Sequence, residues 1–227
     1  MPPAPPAFHP WSTPHQIVLL FVAVLLVLML ILARTRHRAA AERVLGVIML
    51  TLWPASVTIH ATCGSLTAQT LLPLQYCDVA GIAGGLALCT RRPFCCEVLY
   101  FFGLAGTLQG LLTPSLAYGF PDPRFFLFFA MHGLVPMAAI YTVTAPLHRP
   151  RPGSVWAVYA FSLGWFAITA VVNAALGTNY AFQCAKPAHA SLFDHLGPVP
   201  WHNISAMLLG LVIYSLLALP FGLRRKG

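Results

Sequence analysis

The stretch QIVLLFVAVLLVLMLILA, residues 16–33, has Gln16 as its one polar side chain. About 20 apolar residues are needed to cross the hydrocarbon core of a bilayer. Backbone groups in lipid must satisfy their own hydrogen bonds, so this stretch is predicted to be a transmembrane helix. Similar apolar runs recur six more times along the chain, near residues 44–61, 71–89, 94–113, 125–145, 155–176 and 202–221.

Composition agrees with a membrane protein. The 227 residues are 58% hydrophobic and 8% charged, whereas about 25% of the residues in an average soluble domain are charged. The sequence therefore predicts an all-α fold, a polytopic membrane helix bundle with seven transmembrane helices. Residues 16–221 would form a single membrane domain. The first span is expected to be retained, because no positively charged region precedes it and arginines follow it.

The basic residues predict the orientation. Two of the thirteen Lys and Arg residues, Arg124 and Lys186, fall on one side of the predicted membrane. The others fall on the opposite side, at positions 34, 36, 38, 43, 91, 92, 149, 151 and 224–226. The positive-inside rule assigns the arginine-rich side to the cytoplasm. We therefore expect a plasma (inner) membrane, multi-pass protein with a disordered, Pro-rich outer tail at 1–15 and a basic cytoplasmic tail at 222–227. This arrangement accounts for the net charge of +8 without a nucleic-acid partner.

Polar residues fall at similar depths in the outer half of the predicted bundle. Cys77 and His132 would lie roughly 9 and 10 Å below the outer ends of the third and fifth spans, at about 1.5 Å per residue. The other polar residues of this layer lie nearer the outer helix ends and include His60, Gln109, Thr113, Asn173 and His202. Several buried polar groups at one depth predict a pocket that opens outward. The alternative is that headgroups wet these helix ends. The long loop 177–200 is either a lid over this pocket or a simple connector.

The stretch LPLQYCDVAG, residues 72–81, carries the candidate chemistry. We single out Asp78 as a carboxylate within a span, where it must be paired or protonated. It can orient His132, which would act as a base. A buried cysteine usually packs as a small hydrophobe, and Cys77 forms a small-residue stripe with Gly81 and Gly85. It becomes a nucleophile if a base such as His132 activates it.

Four further polar residues are candidates for binding a substrate: Gln75, Gln109, Asn173 and His202. The six cysteines form no CxxC pair and no zinc spacing, so we expect neither a metal site nor a cofactor. Cys63 and Cys184 both fall in predicted outer loops, which leaves a disulfide between them open.

Six segments in order carry a resemblance to a known family. They are LPLQYCDVAG, YFFGLAGTLQGLLTPSL, FPDPRFFLFFAMHG, RPRPGSVW, VNAALGTNYAF and KPAHASLFDHLGPVPWH, between residues 72 and 202. The chain resembles the YwaF-like bacterial integral membrane proteins, whose animal relative is a polytopic cysteine acyltransferase of ether phospholipids. The resemblance implies that Cys77 is an acyl carrier and His132 its partner. Asp78 departs from the animal motif, which has histidine after the cysteine, and a carboxylate there opposes a thiolate.

Three functions follow from these residues. The leading hypothesis is an intramembrane acyltransferase or acyl hydrolase, with a membrane lipid as substrate and Cys77 as nucleophile. The second is a transporter or a small-ligand binding protein that uses Asp78 and His132 as a proton relay or a ligand clamp. The third is an accessory membrane protein whose polar layer only specifies packing. The sequence leaves the oligomeric state open.

Overall fold

The computed structural model describes residues 6–145, 148–187 and 190–223, and this part of the chain is helical. The prediction of an all-α chain with seven apolar helices long enough to cross a membrane is confirmed. We number them span 1 to span 7 in chain order: Thr13–Leu32, Arg38–Thr62, Ala68–Thr90, Pro93–Leu112, Pro123–Thr144, Ser154–Leu176 and His202–Gly222.

Span 3 is divided where the sequence predicted a continuous helix. A short helix, Ala68–Leu71, is followed by extended backbone, and the main helix begins at Tyr76 and ends at Thr90. Pro73 explains the break, because proline disfavours helical backbone in the residue before it. Leu72 accordingly has φ −96° and ψ 143°. The break places Cys77 at the second position of the main helix.

Spans 3, 4 and 5 are the most buried of the seven. Ala80 and Ala87 of span 3 and Val135 and Ala138 of span 5 are almost completely buried. Small residues allow close backbone approach between membrane helices. A Cβ atom added at Gly85 would lie 2.8 Å from the carbonyl oxygen of Gly46 in span 2. This part of the small-residue stripe therefore packs span 3 against span 2.

Two buried carboxylates, Glu42 and Glu97, lie at the end of the bundle that carries most of the arginines. Glu42 of span 2 accepts hydrogen bonds from Arg38, Arg91 and Tyr141 at 2.7, 2.7 and 2.8 Å. A buried carboxylate needs such partners to offset the loss of water. These bonds tie span 2 to span 5 and to the connection between spans 3 and 4.

Glu97 of span 4 is the second buried carboxylate. It accepts from Arg151 Nε and Nη2 at 2.9 and 2.8 Å, with His148 Nε2 at 3.4 Å. The two basic residues belong to the connection between spans 5 and 6. This ion pair therefore fixes that connection against span 4. Glu42 and Glu97 together join elements from span 2 to the connection after span 5 at the arginine-rich end.

The segment before span 1 is ordered from residue 6, contrary to the expected disordered tail. Phe8 is buried, and the Phe8 backbone N–H donates to the Ala117 carbonyl at 3.4 Å. His15 is also buried, where it accepts from the Trp11 backbone N–H and its Nε2 meets the Leu111 carbonyl at 3.0 Å. This segment covers the connection between spans 4 and 5. Residues 1–5 and 224–227 of the predicted tails lie outside the described residues.

Candidate functional site

A cavity of about 560 Å³ lies at the end of the bundle opposite the two buried glutamates. Spans 2 to 7 contribute to its wall, and the 177–200 loop contributes Phe182, Phe193 and Leu196. Five of the predicted site residues line it: Gln75, Cys77, Asp78, Gln109 and His132. Tertiary packing thus brings together groups that the sequence placed only at a common depth.

Cys77 lies where a helix begins. The first N–H groups of a helix have no intrahelical acceptor and form the positive end of its dipole. Cys77 is the second residue of the helix Tyr76–Thr90 and is partly accessible, as expected for a side chain that faces a cavity. Cysteines at helix N-termini form the thiolate more readily than ordinary cysteines. Gly81 and Gly85 of the same stripe pack against neighbouring helices, whereas Cys77 lines the cavity.

Asp78 and His132 make separate contacts, which corrects the expectation that Asp78 orients His132. Asp78 Oδ2 accepts from the backbone N–H of Gln75 at 3.0 Å and so caps its own helix. His132 Nδ1 contacts the carbonyl oxygen of Phe128 at 2.9 Å instead. Both residues lie in the described part of the chain, and no hydrogen bond joins them there. The partner that orients the imidazole is therefore a backbone carbonyl one turn back on span 5.

Phe128 and Gly110 both lie against the His132 ring. It stacks on Phe128 with ring centroids 3.9 Å apart. On span 4, Gly110 leaves room for the ring, because a Cβ atom there would lie 2.4 Å from His132 Cδ2. A carbonyl oxygen only accepts hydrogen bonds, so Nδ1 must carry the proton. In the neutral imidazole Nε2 then has a free lone pair, which is the state of a general base.

Gln75 and Gln109, two of the three glutamines among the described lining residues, differ in the contacts that their amides make. Gln75 Oε1 accepts from the backbone N–H of Ala181 at 3.0 Å, which fixes the side-chain amide and leaves Nε2 free as a donor. Gln109 Nε2 donates to Thr113 Oγ1 at 3.2 Å within span 4. Gln75 is therefore the better-positioned donor near Cys77.

Asn173 and His202 hold the loop, and neither is among the described residues that line the cavity. Asn173 Oδ1 accepts from the Thr178 hydroxyl and the Tyr180 N–H at 2.9 and 2.7 Å, and its Nδ2 donates to Gln183 Oε1 at 3.1 Å. His202 Nε2 lies 2.8 Å from the Phe182 carbonyl. These contacts order the loop over the cavity.

Tyr180 and Gln69 connect the loop to the segment before Cys77, and neither was singled out from the sequence. The Tyr180 hydroxyl donates to the Ala68 carbonyl. Burial raises the pKa of Tyr180, which keeps this hydroxyl protonated. The backbone N–H of Asn179 donates to Gln69 Oε1 at 2.6 Å. The aromatic residue in the loop motif GTNYAF was the signal that could have pointed to this contact.

A π-helical segment, Gly103–Thr107, forms part of the cavity wall in span 4. Segments of this kind inside α-helices occur frequently at functional sites. The segment ends just before Gln109 and Gly110, so it sets how these two residues face His132. Cys63 and Cys184 are exposed free thiols, so the disulfide left open by the sequence is not formed.

Comparison with known proteins places this arrangement in a family. The TMEM164 family model matches residues 10–218. The chain belongs to the TMEM164 family. The match runs from before span 1 into span 7 and includes all the described cavity-lining residues. It supports the family without supporting the YwaF-like name specifically.

One curated relative of this TMEM164 family chain is an uncharacterized protein of Treponema pallidum (strain Nichols). It is 30% identical over 132 residues, which is 55% of this chain and 54% of the relative. The alignment therefore spans about half the length of that relative. No solved structure matches the chain.

Proposed function

We propose that this TMEM164 family protein is an intramembrane acyltransferase or acyl hydrolase that acts on membrane lipids in the plasma membrane. The observation that carries the proposal is that Cys77, at a helix N-terminus, and His132, with Nε2 free to accept a proton, line the same cavity. Phe182, Phe193 and Leu196 of the loop above the cavity form part of its wall. With spans 3 and 5 entering from the outside, the cavity would receive lipids from the outer leaflet.

Acylation of Cys77 is the first step. His132 Nε2 takes the proton from the Cys77 thiol, and the thiolate attacks the carbonyl carbon of a lipid ester. The negative charge that develops on the carbonyl oxygen is stabilised by donors aimed at it. Gln75 Nε2 and the unpaired N–H groups at the start of the helix supply such donors. The ester C–O bond then breaks, the leaving oxygen takes the proton from His132, and a Cys77 thioester remains.

The second step releases the acyl group. A lipid alcohol or water enters the cavity, and His132 Nε2 takes its proton as the oxygen attacks the thioester carbonyl. The C–S bond breaks and the Cys77 thiolate regains the proton from His132. An alcohol gives a new ester and makes the protein an acyltransferase, whereas water gives a fatty acid and makes it a hydrolase.

The proton-relay alternative has less support from the geometry. A relay needs neighbouring titratable groups that exchange protons, and Asp78 and His132 are each bonded to backbone atoms instead. A packing role alone does not explain why Cys77, Asp78 and His132 face a cavity.

The test compares Cys77→Ser with Cys89→Ser. Both cysteines belong to the same helix, but Cys89 lies at its far end near the Arg43 carbonyl and is not among the cavity-lining residues. An acyl-thioester probe should label the wild type and Cys89→Ser and should not label Cys77→Ser. In cells, Cys77→Ser should change the acyl-chain profile of the membrane lipids, and Cys89→Ser should leave it unchanged.

His132→Asn separates the base from the structural bond of His132. The asparagine Nδ2 can still donate to the Phe128 carbonyl, but no group replaces Nε2. We expect this variant to fold and to label at least 10²-fold more slowly, the lower bound for loss of a general base. Full labelling of Cys77→Ser, or unchanged lipid profiles in all the variants, refutes the acyl-enzyme. Activity kept in Cys77→Ser but lost in Asp78→Asn would favour the relay.

A further inference from the structure

We infer that the cavity selects lipids without net negative charge, and that Asp78 enforces this selection. The inference rests on the proposed function and adds the charge class of its substrate. It depends on where the charged side chains lie relative to the cavity wall.

The cavity wall lacks fixed positive charge. None of its described lining residues is Lys or Arg. Four arginines are bonded to carboxylates elsewhere: Arg38 and Arg91 to Glu42, Arg151 to Glu97, and Arg124 to Asp122. Lys186 is the nearest in sequence, beside the lining residue Pro187 at the loop. The deeper wall therefore offers no cation to neutralise an anion.

Asp78 is the one acidic side chain among the described lining residues. One of its oxygens caps the helix through Gln75, and no hydrogen bond to the other oxygen occurs in the described part. Two histidines, His60 and His132, line the same wall. An ordinary histidine has a pKa near 6.5, so above about pH 7.5 most histidine side chains are neutral. At such a pH the charge on the wall is negative or zero.

This charge distribution discriminates between headgroups. The ester carbonyl and the phosphate of a glycerophospholipid are separated by only a few covalent bonds, so an ester that reaches Cys77 brings its phosphate to the cavity. A phosphate without a counter-charge loses its hydration and is repelled by Asp78. A zwitterionic lipid brings its own ammonium group, which offsets both costs, and a neutral glycerolipid avoids them. We therefore expect zwitterionic and neutral lipids to acylate Cys77 in preference to anionic ones.

The test is a competition within one membrane. The full-length protein is reconstituted at about pH 8 in vesicles with equal amounts of phosphatidylcholine and phosphatidylglycerol that carry the same acyl chains. Only the phosphatidylcholine chains are deuterated. The mass of the acyl group on Cys77 then reports which lipid it came from. A second preparation with the label exchanged removes any isotope effect. We expect at least tenfold more adduct from phosphatidylcholine.

Asp78→Asn and Asp122→Asn form a matched pair of variants. Asparagine can cap a helix as aspartate does, so Asp78→Asn keeps the cap and removes the charge. Asp122 is an aspartate at the same end of the bundle but is not among the lining residues. The preference for phosphatidylcholine should fall severalfold in Asp78→Asn and stay at the wild-type value in Asp122→Asn.

Each outcome decides one of the two claims. A ratio near one in the wild type, or a preference for phosphatidylglycerol, overturns the charge selection and leaves the acyl-enzyme standing. The same preference in wild type and Asp78→Asn overturns the role of Asp78. The absence of any adduct from either lipid overturns the proposed function together with the selection. If Asp78→Asn does not fold, the wild-type ratio alone decides the selection.

Discussion

Gly110→Ala tests the role of His132 without substituting either of the proposed catalytic residues, Cys77 and His132. The added Cβ atom would lie 2.4 Å from His132 Cδ2 and 2.9 Å from Nε2, whereas ordinary contacts begin at 3.4 Å. The ring must therefore move by about 1 Å away from Gly110 and into the cavity. A displacement of about 1 Å from the reactive geometry can cost 10²-fold in rate, or about 2.7 kcal/mol of activation free energy.

Gly106→Ala is the matched control on the same span. It lies one turn earlier and also lines the cavity, but a Cβ atom there meets nothing within 4 Å. Both substitutions gain roughly 1 kcal/mol of helix propensity, so a difference between them reports the contact with His132. The assay is the rate at which Cys77 acquires an acyl group, followed by intact-protein mass spectrometry, with thermal unfolding in detergent measured in parallel.

The expected result is a fall of about 10²-fold in acylation for Gly110→Ala and a near wild-type rate for Gly106→Ala. The fall should come with an unfolding midpoint close to that of the wild type, because the ring has cavity space to move into. Wild-type acylation by Gly110→Ala would refute the reasoning, since it would show that the position of His132 does not limit the reaction. Equal losses in the two variants would point to helix geometry and not to His132.

Three further predictions concern the loops at the ends of the bundle. Hydrogen bonds from Arg124 hold the pKa of the Asp122 carboxyl below its usual range. The bonds between these two residues therefore stabilise the folded state fully above about pH 4. This stabilisation should be lost as the pH falls through the lowered pKa of Asp122. Faster hydrogen exchange at residues 118–124 would report the loss, and Asp122→Asn should remove this pH dependence. Asn173→Ala removes the hydrogen bonds that order the loop, so we expect faster hydrogen exchange at residues 178–184 and slower acylation of Cys77. Unchanged hydrogen exchange would contradict the role of Asn173 in anchoring the loop. A membrane-impermeant maleimide applied to right-side-out vesicles should label Cys63 and Cys184 but not Cys95, and the reverse pattern would invert the predicted topology.

The candidate site shows how far depth along a helix can be predicted. Counting residues from the span ends put Cys77 and His132 in one layer, and the cavity contains both. The same count placed Asn173 and His202 in this layer as candidates for binding a substrate, yet these two residues bond to the loop. Depth fixes one coordinate of a side chain, and its rotation about the helix axis depends on how the neighbouring helices pack.

The contacts of His132 show a second limit. A carboxylate and an imidazole at similar depth suggested a pair, but each found a backbone partner closer in its own chain segment. Local side-chain to backbone bonds compete with distant partners because they cost less conformational entropy. Sequence spacing does not reveal whether a polar side chain will bond to its local backbone or to a distant side chain.

The amino-acid sequence was enough to predict seven helices that are long and apolar enough to cross a membrane. This conclusion follows because apolar length and the demand for internally satisfied backbone hydrogen bonds leave no other structure in lipid. The packing of the helices and the loop decided that Gly110 makes room for His132, and that the loop bonds to Gln75 and, through Tyr180, to Ala68. These features depend on contacts between residues far apart in the chain, whose mutual orientation is set only when the helices pack.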